Sequence, residues 1–391
     1  MESVEAEESE GFKKSVFQLS RIGTPFPGGL VHLRRSRPVP LRRPGLVVLS
    51  LLTLAASAVS CAESRGGAPP PEPSAPKTAS GRQDSPSARP EHPSRPNSPA
   101  SVHANELGAV PVLMYHQIVD KPRSAYDRRP ADFRAELERL AKEGYVPVTA
   151  GAYSAGKIDI PAGRHPVVLT FDDSTDSQFA LGDDGRPVAD SAVGILRDVA
   201  RRHPGFKPAA TLFVNGGAFP ATGTKKALRW LHGHGFEVGN HTRDHANLRD
   251  IPAGEAQHQI AAGQRVIEES VPDAKVTSLA LPFGVQPNPP GLDVKGAADG
   301  ERYAYDGAYL VGAGPAPSPY ATAFDPVGIP RIRSAGAHDQ DAQFGSAHWL
   351  DELRDGAVAR YTSDGDPDRV SYPESGSARP AKEFRERAKP Y

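Results

Sequence analysis

Short apolar runs alternate with stretches of helical periodicity from residue 110 onward, and this alternation constrains the fold more than any other feature. Helical spacing of apolar residues occurs in Asp132–Glu143, Asp190–Arg202 and Gly254–Ser270. The predicted strands are Val110–Tyr115, Val146–Thr149, Val167–Phe171, Ala210–Val214, Phe236–Gly239, Leu279–Leu281 and Ala308–Val311. Strands that alternate with helices form a parallel sheet. The sequence therefore predicts an α/β fold, a closed or nearly closed barrel of about seven parallel strands whose carboxyl ends meet on one face.

The first 105 residues differ in composition, and we expect them to lie outside this fold. Arginines between positions 34 and 43 precede an apolar run from Leu46 to Val59, which small residues connect to Cys61, the only cysteine. This order is typical of a signal peptide, and the small residues before Cys61 resemble a bacterial lipobox. Residues 1–61 are therefore interpreted as an N-terminal extension plus a lipoprotein-type signal peptide. The alternatives are a plain secretory signal and an uncleaved anchor.

Two further segments are predicted to flank one folded domain at residues 106–362. Residues 62–101 contain no Val, Ile, Leu, Met, Phe, Tyr or Trp, so residues 62–105 are predicted to form a disordered Pro/Ser/Ala-rich linker. Residues 363–391 are charged and Pro-rich, and we expect a loose C-terminal tail. The formal net charge of −1 gives no reason to expect nucleic acid as a partner. We expect an exported monomer, either secreted or held on the outer face of the cytoplasmic membrane only by a lipid anchor at Cys61.

Acidic and imidazole side chains follow two of the predicted strands. Asp172 and Asp173 end the buried run Val167–Phe171. Two adjacent carboxylates are costly to bring together unless a cation is present; the alternative is a helix N-cap beside a surface residue. His241 and His245 lie four residues apart, which on a helical turn places both imidazoles on one side. One Asp and two His at the same ends of two strands predict a metal site that keeps a position open for water, as catalytic sites do.

Four short motifs occur in a specific order along the predicted barrel. They are Pro111–His116 (PVLMYH), Thr170–Asp173 (TFDD), His241–His245 (HTRDH) and Leu281–Gly284 (LPFG). Over residues 108–335 the chain thereby resembles the polysaccharide deacetylases, the NodB-homology group of carbohydrate esterases. The resemblance implies a distorted (β/α) barrel of about seven parallel strands. It also implies metal-dependent hydrolysis of acetamide groups in glycans that contain N-acetylglucosamine, such as peptidoglycan or an extracellular polysaccharide, with release of acetate. Two alternatives stay open: an O-acetyl (xylan-type) esterase on the same scaffold, and a non-catalytic glycan-binding lipoprotein.

The resemblance also implies a role for each motif residue. Asp172 is the implied general base, and the backbone N–H of Phe283 is implied to stabilise the oxyanion. The implied ligands of Zn²⁺, or of another divalent transition metal such as Co²⁺ or Ni²⁺, are Asp173, His241 and His245. His116 is expected to be the general acid, as in relatives that open with a Met-Tyr-His strand. The alternatives are a later histidine as the acid and a purely structural role for His116.

Three features depart from the family pattern. Ser174 stands where Gly is usual, and Phe179–Asp190 is interpreted as an inserted loop. Ala280 occupies the position of an Arg that orients the base in many relatives. Arg331 or Arg333 is a candidate to replace that arginine, and the alternative for both is an ordinary surface position. None of these departures removes a ligand or the base, so we expect activity.

Overall fold

The structure, a computed structural model, describes residues 98–391. The predicted signal peptide, Cys61 and the predicted linker up to residue 97 lie outside the described residues. No helix within residues 98–391 has the length and apolar character that crossing a bilayer requires.

Twelve strands occur in this part of the chain, and eight of them form one parallel sheet. In chain order they are β1 (Val112–Tyr115), β2 (Tyr145–Val148), β3 (His165–Phe171), β4 (Thr211–Val214), β5 (Glu237–Asn240), β6 (Ser278–Ala280), β7 (Lys295–Ala298), β8 (Glu301–Ala304), β9 (Gly307–Tyr309), β10 (Ile332–Arg333), β11 (Val370–Tyr372) and β12 (Ala388–Pro390). β7 and β8 form a separate antiparallel hairpin, and β11 and β12 form a separate parallel pair. All seven predicted strands are present, with bounds that differ by at most two residues. The eighth strand of the sheet, β10, was not predicted, because two residues are too few to show a pattern.

The sheet curves into a distorted barrel. Its order is β10-β1-β3-β4-β5-β6-β9, with β2 beside β3. The two ends of this path are joined by backbone hydrogen bonds, because Leu310 N donates to Ile329 O at 2.8 Å and Gly312 N donates to Arg331 O at 3.0 Å. β2 pairs with the first half of β3, and β4 pairs with its last two residues. The predicted α/β fold, a distorted barrel with a path of seven parallel strands, is confirmed.

Helices cover the outside of the barrel. They are α1 (Pro130–Lys142), α2 (Ala150–Ser154), α3 (Ala192–Arg202), α4 (Thr224–Gly233), α5 (Ala253–Ser270) and α6 (Ser346–Arg354). The apolar faces predicted for α1, α3 and α5 contribute buried side chains to the main core, among them Phe133, Leu196 and Ile260. The strands β1 to β4 are buried along their whole length, as expected for a parallel sheet covered by helices.

Both ends of the predicted domain extend further than the sequence indicated. Pro99–Val102, at the end of the predicted linker, forms a 3₁₀ helix, and Ala104 is buried. The predicted loose tail is also wrong as a description of this segment, because Val370 and Ser371 are fully buried in β11. Charged and Pro-rich composition misled the prediction, since this segment is held by backbone pairing and polar contacts that need few apolar side chains.

Candidate metal centre and active site

The two predicted metal-binding motifs meet at the carboxyl end of the barrel. Asp173 follows β3, whereas His241 and His245 follow β5, with β4 between these strands. Oδ1 of Asp173 lies 3.5 Å from Nε2 of His241 and 3.5 Å from Nε2 of His245. One ligand atom from each residue lies within 4.8 Å of the other two. Three side chains that are distant in the chain therefore converge on one point, as ligands of a divalent cation do.

The His241 ring is held in one orientation by the backbone of a neighbouring strand. Its Nδ1 donates to the carbonyl oxygen of Ala280 at 2.8 Å, which leaves a lone pair on Nε2. Nε2 is buried and has no hydrogen-bond partner within residues 98–391. The Asn215 side chain, directly after β4, donates to the His241 carbonyl oxygen at 2.8 Å. A fixed ring whose free lone pair faces a carboxylate fits a metal ligand.

The ligand set is open on one side. The side chain of His241 is 2% exposed, whereas those of His245 and Asp173 are 19% and 33% exposed. A cation and a small molecule can therefore reach these atoms from solvent. Three protein ligands with an accessible side match the catalytic kind of metal site, since structural sites close the shell with a fourth protein group.

Burial and neighbouring charges set the protonation of these groups. Burial raises the pKa of Asp173, but the imidazoles of His241 and His116 outweigh it and hold that pKa well below its ordinary value. Burial and the adjacent His241 lower the pKa of His245 to about 4. At neutral pH Asp173 is therefore charged and His245 is neutral, the states in which both can ligate a cation.

Backbone strain is concentrated in the same motifs. Nine described non-glycine residues have a positive φ, and five of them belong to the site segments: Asp173 (74°), Ser174 (50°), Thr242 (62°), His245 (54°) and Phe283 (59°). The left-handed region is costly for residues with a Cβ atom. Such strain collects at functional sites because the surrounding structure fixes the side chains in the geometry that the chemistry needs.

Asp172 is paired with a fully buried arginine. Arg331, beside β10, donates from one terminal nitrogen to Oδ1 of Asp172 at 2.6 Å and from the other to Oδ2 at 2.7 Å. Burial alone raises the pKa of Asp172, but Arg331 and then His241 reverse the shift, so that the pKa lies below its ordinary value. Of the two candidate arginines, Arg331 is therefore the one that pairs with Asp172, whereas Arg333 donates to the carbonyl oxygens of Ala125 and Gln340.

Phe283 lies in a tight turn beside the predicted metal ligands. The turn Pro282–Gly284 is a single 3₁₀ element, and the Phe283 ring packs edge-on against His245 with 4.7 Å between ring centroids. No hydrogen bond to another described residue uses the Phe283 N–H. Gly284 is required by close packing, because a Cβ atom there would lie 2.6 Å from the backbone nitrogen of Val311.

His116 follows β1 at the same end of the barrel and is 6% exposed. Its ring contacts Tyr126, with 4.9 Å between centroids. The His116 imidazole is among the groups that lower the pKa of Asp172 and Asp173. The structure thus brings all six predicted site residues to one end of the barrel.

Sequence reasoning did not identify two residues that support the site. Asn215 was detectable in principle, because it is a polar residue directly after a buried strand, like the Asp pair and His241. Gln178 gives no such signal, since it lies in the loop six residues beyond Asp172. Its side-chain amide donates to the carbonyl oxygens of His116 and Asp172.

A protein-family model matches the part of the chain that contains most of the candidate site. Residues 159–290 match the family model described as polysaccharide deacetylase. The matched segment contains Asp172, Asp173, both histidine ligands and Phe283, whereas His116 lies before it. The match confirms the resemblance to this family over the segment that carries three of the four motifs.

One curated protein and several solved structures align with parts of this chain. A chitooligosaccharide deacetylase of Sinorhizobium fredii is 28% identical over 123 residues, which are 32% of this chain and 49% of that protein. The chain thus spans about half the length of the curated relative that it matches. Among solved structures, the Streptococcus pyogenes deacetylase PplD in complex with acetate aligns at 20% identity, with a TM-score of 0.46, over 62% of this chain and 97% of its own. IcaB from Ammonifex degensii aligns at 21% identity, with a TM-score of 0.43, over the same two shares.

Proposed function

We propose that this protein is a metal-dependent polysaccharide N-deacetylase. It hydrolyses acetamide groups of glycans that contain N-acetylglucosamine, in peptidoglycan or an extracellular polysaccharide, and releases acetate. The cation is Zn²⁺ or another divalent transition metal such as Co²⁺ or Ni²⁺, because mixed carboxylate and imidazole ligands suit all three. One observation carries the proposal: Asp173, His241 and His245 converge on an open point beside a second, arginine-paired carboxylate.

Each chain residue has a defined task in this reaction. A divalent ion at the centre would polarise the acetyl carbonyl and favour deprotonation of a water. Asp172, kept ionised by Arg331, accepts the proton of the water whose oxygen forms a new bond to the acetyl carbon. The N–H of Phe283 donates to the oxygen that becomes negatively charged. His116 gives a proton to the amide nitrogen as the carbon–nitrogen bond breaks, so the products are acetate and a free amine.

The assignment of the acid has its own test. His116→Ala should keep the bound metal and lose most of the turnover, about 10²-fold or more, because the amine leaves poorly without a proton. The measurement is acetate release by zinc-loaded protein together with metal analysis of the same sample. Unchanged turnover would assign the acid to another group and leave His116 a structural role.

The proposed reaction is tested with purified protein and defined substrates. Metal analysis comes first, followed by acetate release from peptidoglycan, from β-1,4 and β-1,6 N-acetylglucosamine oligomers, and from acetylated xylan. We expect release from an N-acetylated substrate, loss of activity after chelation, and recovery on adding Zn²⁺. Release from the O-acetylated polymer alone would identify an esterase instead. Binding of a glycan without any acetate release by metal-loaded protein would identify a non-catalytic binding protein.

The site of action is proposed from the N-terminal sequence. Export as a lipoprotein acylated at Cys61 would hold the barrel at the outer face of the cytoplasmic membrane, where these glycans occur. Labelled fatty acid should enter the wild-type protein in bacterial cells and should not enter Cys61→Ser. Label in both proteins, or in neither, would contradict the anchor.

A further inference from the structure

Gln178 connects the backbones on which the proposed acid and base stand. Its side chain is fully buried. The Nε2 group donates one hydrogen to the carbonyl oxygen of His116, at 2.8 Å, and the other to the carbonyl oxygen of Asp172. Both hydrogens of the amide are thus used, and each is used at a residue that the proposed reaction needs.

The orientation of the amide follows from these contacts. Two carbonyl oxygens require a donor with two hydrogens, so a flipped amide would place its own oxygen against both of them. In the observed orientation Oε1 of Gln178 is buried and has no hydrogen-bond partner within residues 98–391. A buried acceptor without a partner lowers stability. The structure therefore retains an unfavourable group in order to keep both donations.

The loop that carries Gln178 is itself fixed at several points. The backbone nitrogen of Gln178 donates to Thr175 O at 3.0 Å, and Val193 N, in the first turn of α3, donates to Gln178 O at 3.0 Å. The adjacent Ser177 accepts a hydrogen bond at Oγ from Ile118 N, at 3.2 Å. The side-chain amide thus extends from a rigid support, and it holds the end of β1 against the end of β3.

We propose that Gln178 is a positioning residue that sets the distance between His116 and Asp172. The inference rests on the proposed deacetylase function. In that reaction Asp172 activates the water that attacks the acetyl carbon, and His116 protonates the nitrogen of the same carbon–nitrogen bond. The hydrogen bonds of the Gln178 side chain go to two carbonyl oxygens, and to neither the side chains of the predicted metal ligands nor the reacting atoms. It acts through the two carbonyl groups, because moving either one moves the side chain attached to the same residue.

The kinetic test replaces the amide by a side chain of similar shape. Gln178→Met removes both donors, and Gln178→Glu leaves at most one hydrogen where the amide has two. In zinc-loaded protein both should lower kcat for acetate release, by about 10- to 100-fold for the Met variant, as expected for small displacements of reacting groups. KM and the bound zinc per molecule should stay within about twofold of wild type, since no substrate or metal contact is removed.

Gln264→Met is the matched control. Gln264 is also buried, and its Nε2 donates to the Arg302 carbonyl oxygen at 2.9 Å, but neither the acid nor the base is among its partners. Loss of a buried amide should lower the melting temperature of both Met variants, whereas only Gln178→Met should lose kcat. Wild-type kcat in folded, zinc-loaded Gln178→Met, or in Gln178→Glu if the Met variant does not fold, would overturn the proposal.

A spectroscopic arm separates this inference from the proposed function. If the wild type releases no acetate from any substrate, the deacetylase proposal fails. Protein labelled with ¹³C and ¹⁵N at histidine still reports the geometry, and the His116 signal is assigned by its absence in His116→Ala. We expect that signal to shift or broaden in Gln178→Met and to stay unchanged in Gln264→Met. An unchanged His116 signal in Gln178→Met would overturn the positioning role.

Discussion

Two buried carboxyl groups in this molecule have pKa values that are shifted in opposite directions. Asp172, at the carboxyl end of the barrel, is 2% exposed, and Glu106, which contacts the C-terminal segment, is 3% exposed. Asp172 has a pKa below its ordinary value, because burial is outweighed by the Arg331 guanidinium and then by His241. Burial, together with the nearby carboxylate of Asp364, raises the pKa of Glu106 to about 8. Two carboxyl groups with similar burial therefore have pKa shifts of opposite direction.

The difference lies in the partners. Arg331 offers Asp172 two charged donors in a planar, bidentate arrangement. Glu106 accepts from neutral groups, among them Ser371 N at 2.7 Å and Asp364 N at 3.3 Å. Neutral donors satisfy the oxygens of a buried carboxyl group but do not neutralise its charge. The first arrangement keeps a buried carboxylate ionised near neutral pH, and the second joins the N- and C-terminal segments of the domain.

The largest effect is expected when the charge of Asp172 is removed. Asp172→Asn keeps the shape of the side chain but cannot accept the proton of the water, so kcat should fall by about 10²- to 10⁴-fold. Acetate release by zinc-loaded protein measures the loss, and metal analysis provides the control. Metal content should stay near that of the wild type, because the proposed ligands remain. Full activity would show that another group is the base.

Removing the partner of Asp172 should have the next largest effect. Arg331→Met leaves a buried carboxylate without its cation, a change that destabilises proteins by about 3–5 kcal/mol. In the surviving folded protein the largest influence that opposes burial is gone, so the pKa of Asp172 rises. Because the base must be ionised, the acidic limb of the profile of kcat/KM against pH should then move to higher pH. Denaturant titration and the pH profile measure the two effects.

Arg333→Met is the matched control for that experiment. Arg333 is a buried arginine two residues further along the chain, but it donates to backbone carbonyl oxygens and not to Asp172. Arg333→Met should lower the unfolding free energy but leave the acidic limb of the profile of kcat/KM against pH unchanged. An equal displacement in both variants would mean that the pKa of Asp172 does not depend on its bidentate partner.

The site around Asp172 was predicted from the sequence much better than the contacts between Glu106 and the C-terminal segment. Buried strands are visible in the sequence as apolar runs, and the predicted ligands follow those runs directly. Asp173, His241 and His245 could therefore be placed together from the sequence alone. The choice between Arg331 and Arg333 could not be made, because one precedes and the other ends a two-residue strand whose register is set by pairing with β1. Glu106 and Val370–Tyr372 were missed because hydrogen bonds between distant polar residues leave no periodic pattern.

The unfolding free energy should depend on pH through the buried carboxyl group of Glu106. Its pKa is about 8 in the folded protein and about 4.5 ordinarily, so between these values the folded state keeps a proton that the unfolded state has lost. The unfolding free energy contributed by this group therefore falls as pH rises across that window, by at most about 1.4 kcal/mol per pH unit. Denaturant titrations from pH 5 to pH 8 should show a weaker pH dependence in Glu106→Gln than in wild type. Parallel curves for the two proteins would contradict the raised pKa.

The smallest effect is expected at Ser174, where the site departs from the family's glycine. Ser174 has a φ of 50°, and its Oγ accepts a hydrogen bond from Asn215 N at 3.2 Å. Ser174→Gly relieves the backbone strain but loses this bond, so the two contributions oppose each other and stability should change by no more than about 1 kcal/mol. Ser174→Ala loses the bond and keeps the strain, which makes it the matched comparison. We expect the Gly variant to be the more stable of the two in denaturant titrations, because only a residue without a Cβ atom adopts this conformation freely; the reverse order would mean that the Ser174 backbone is not strained.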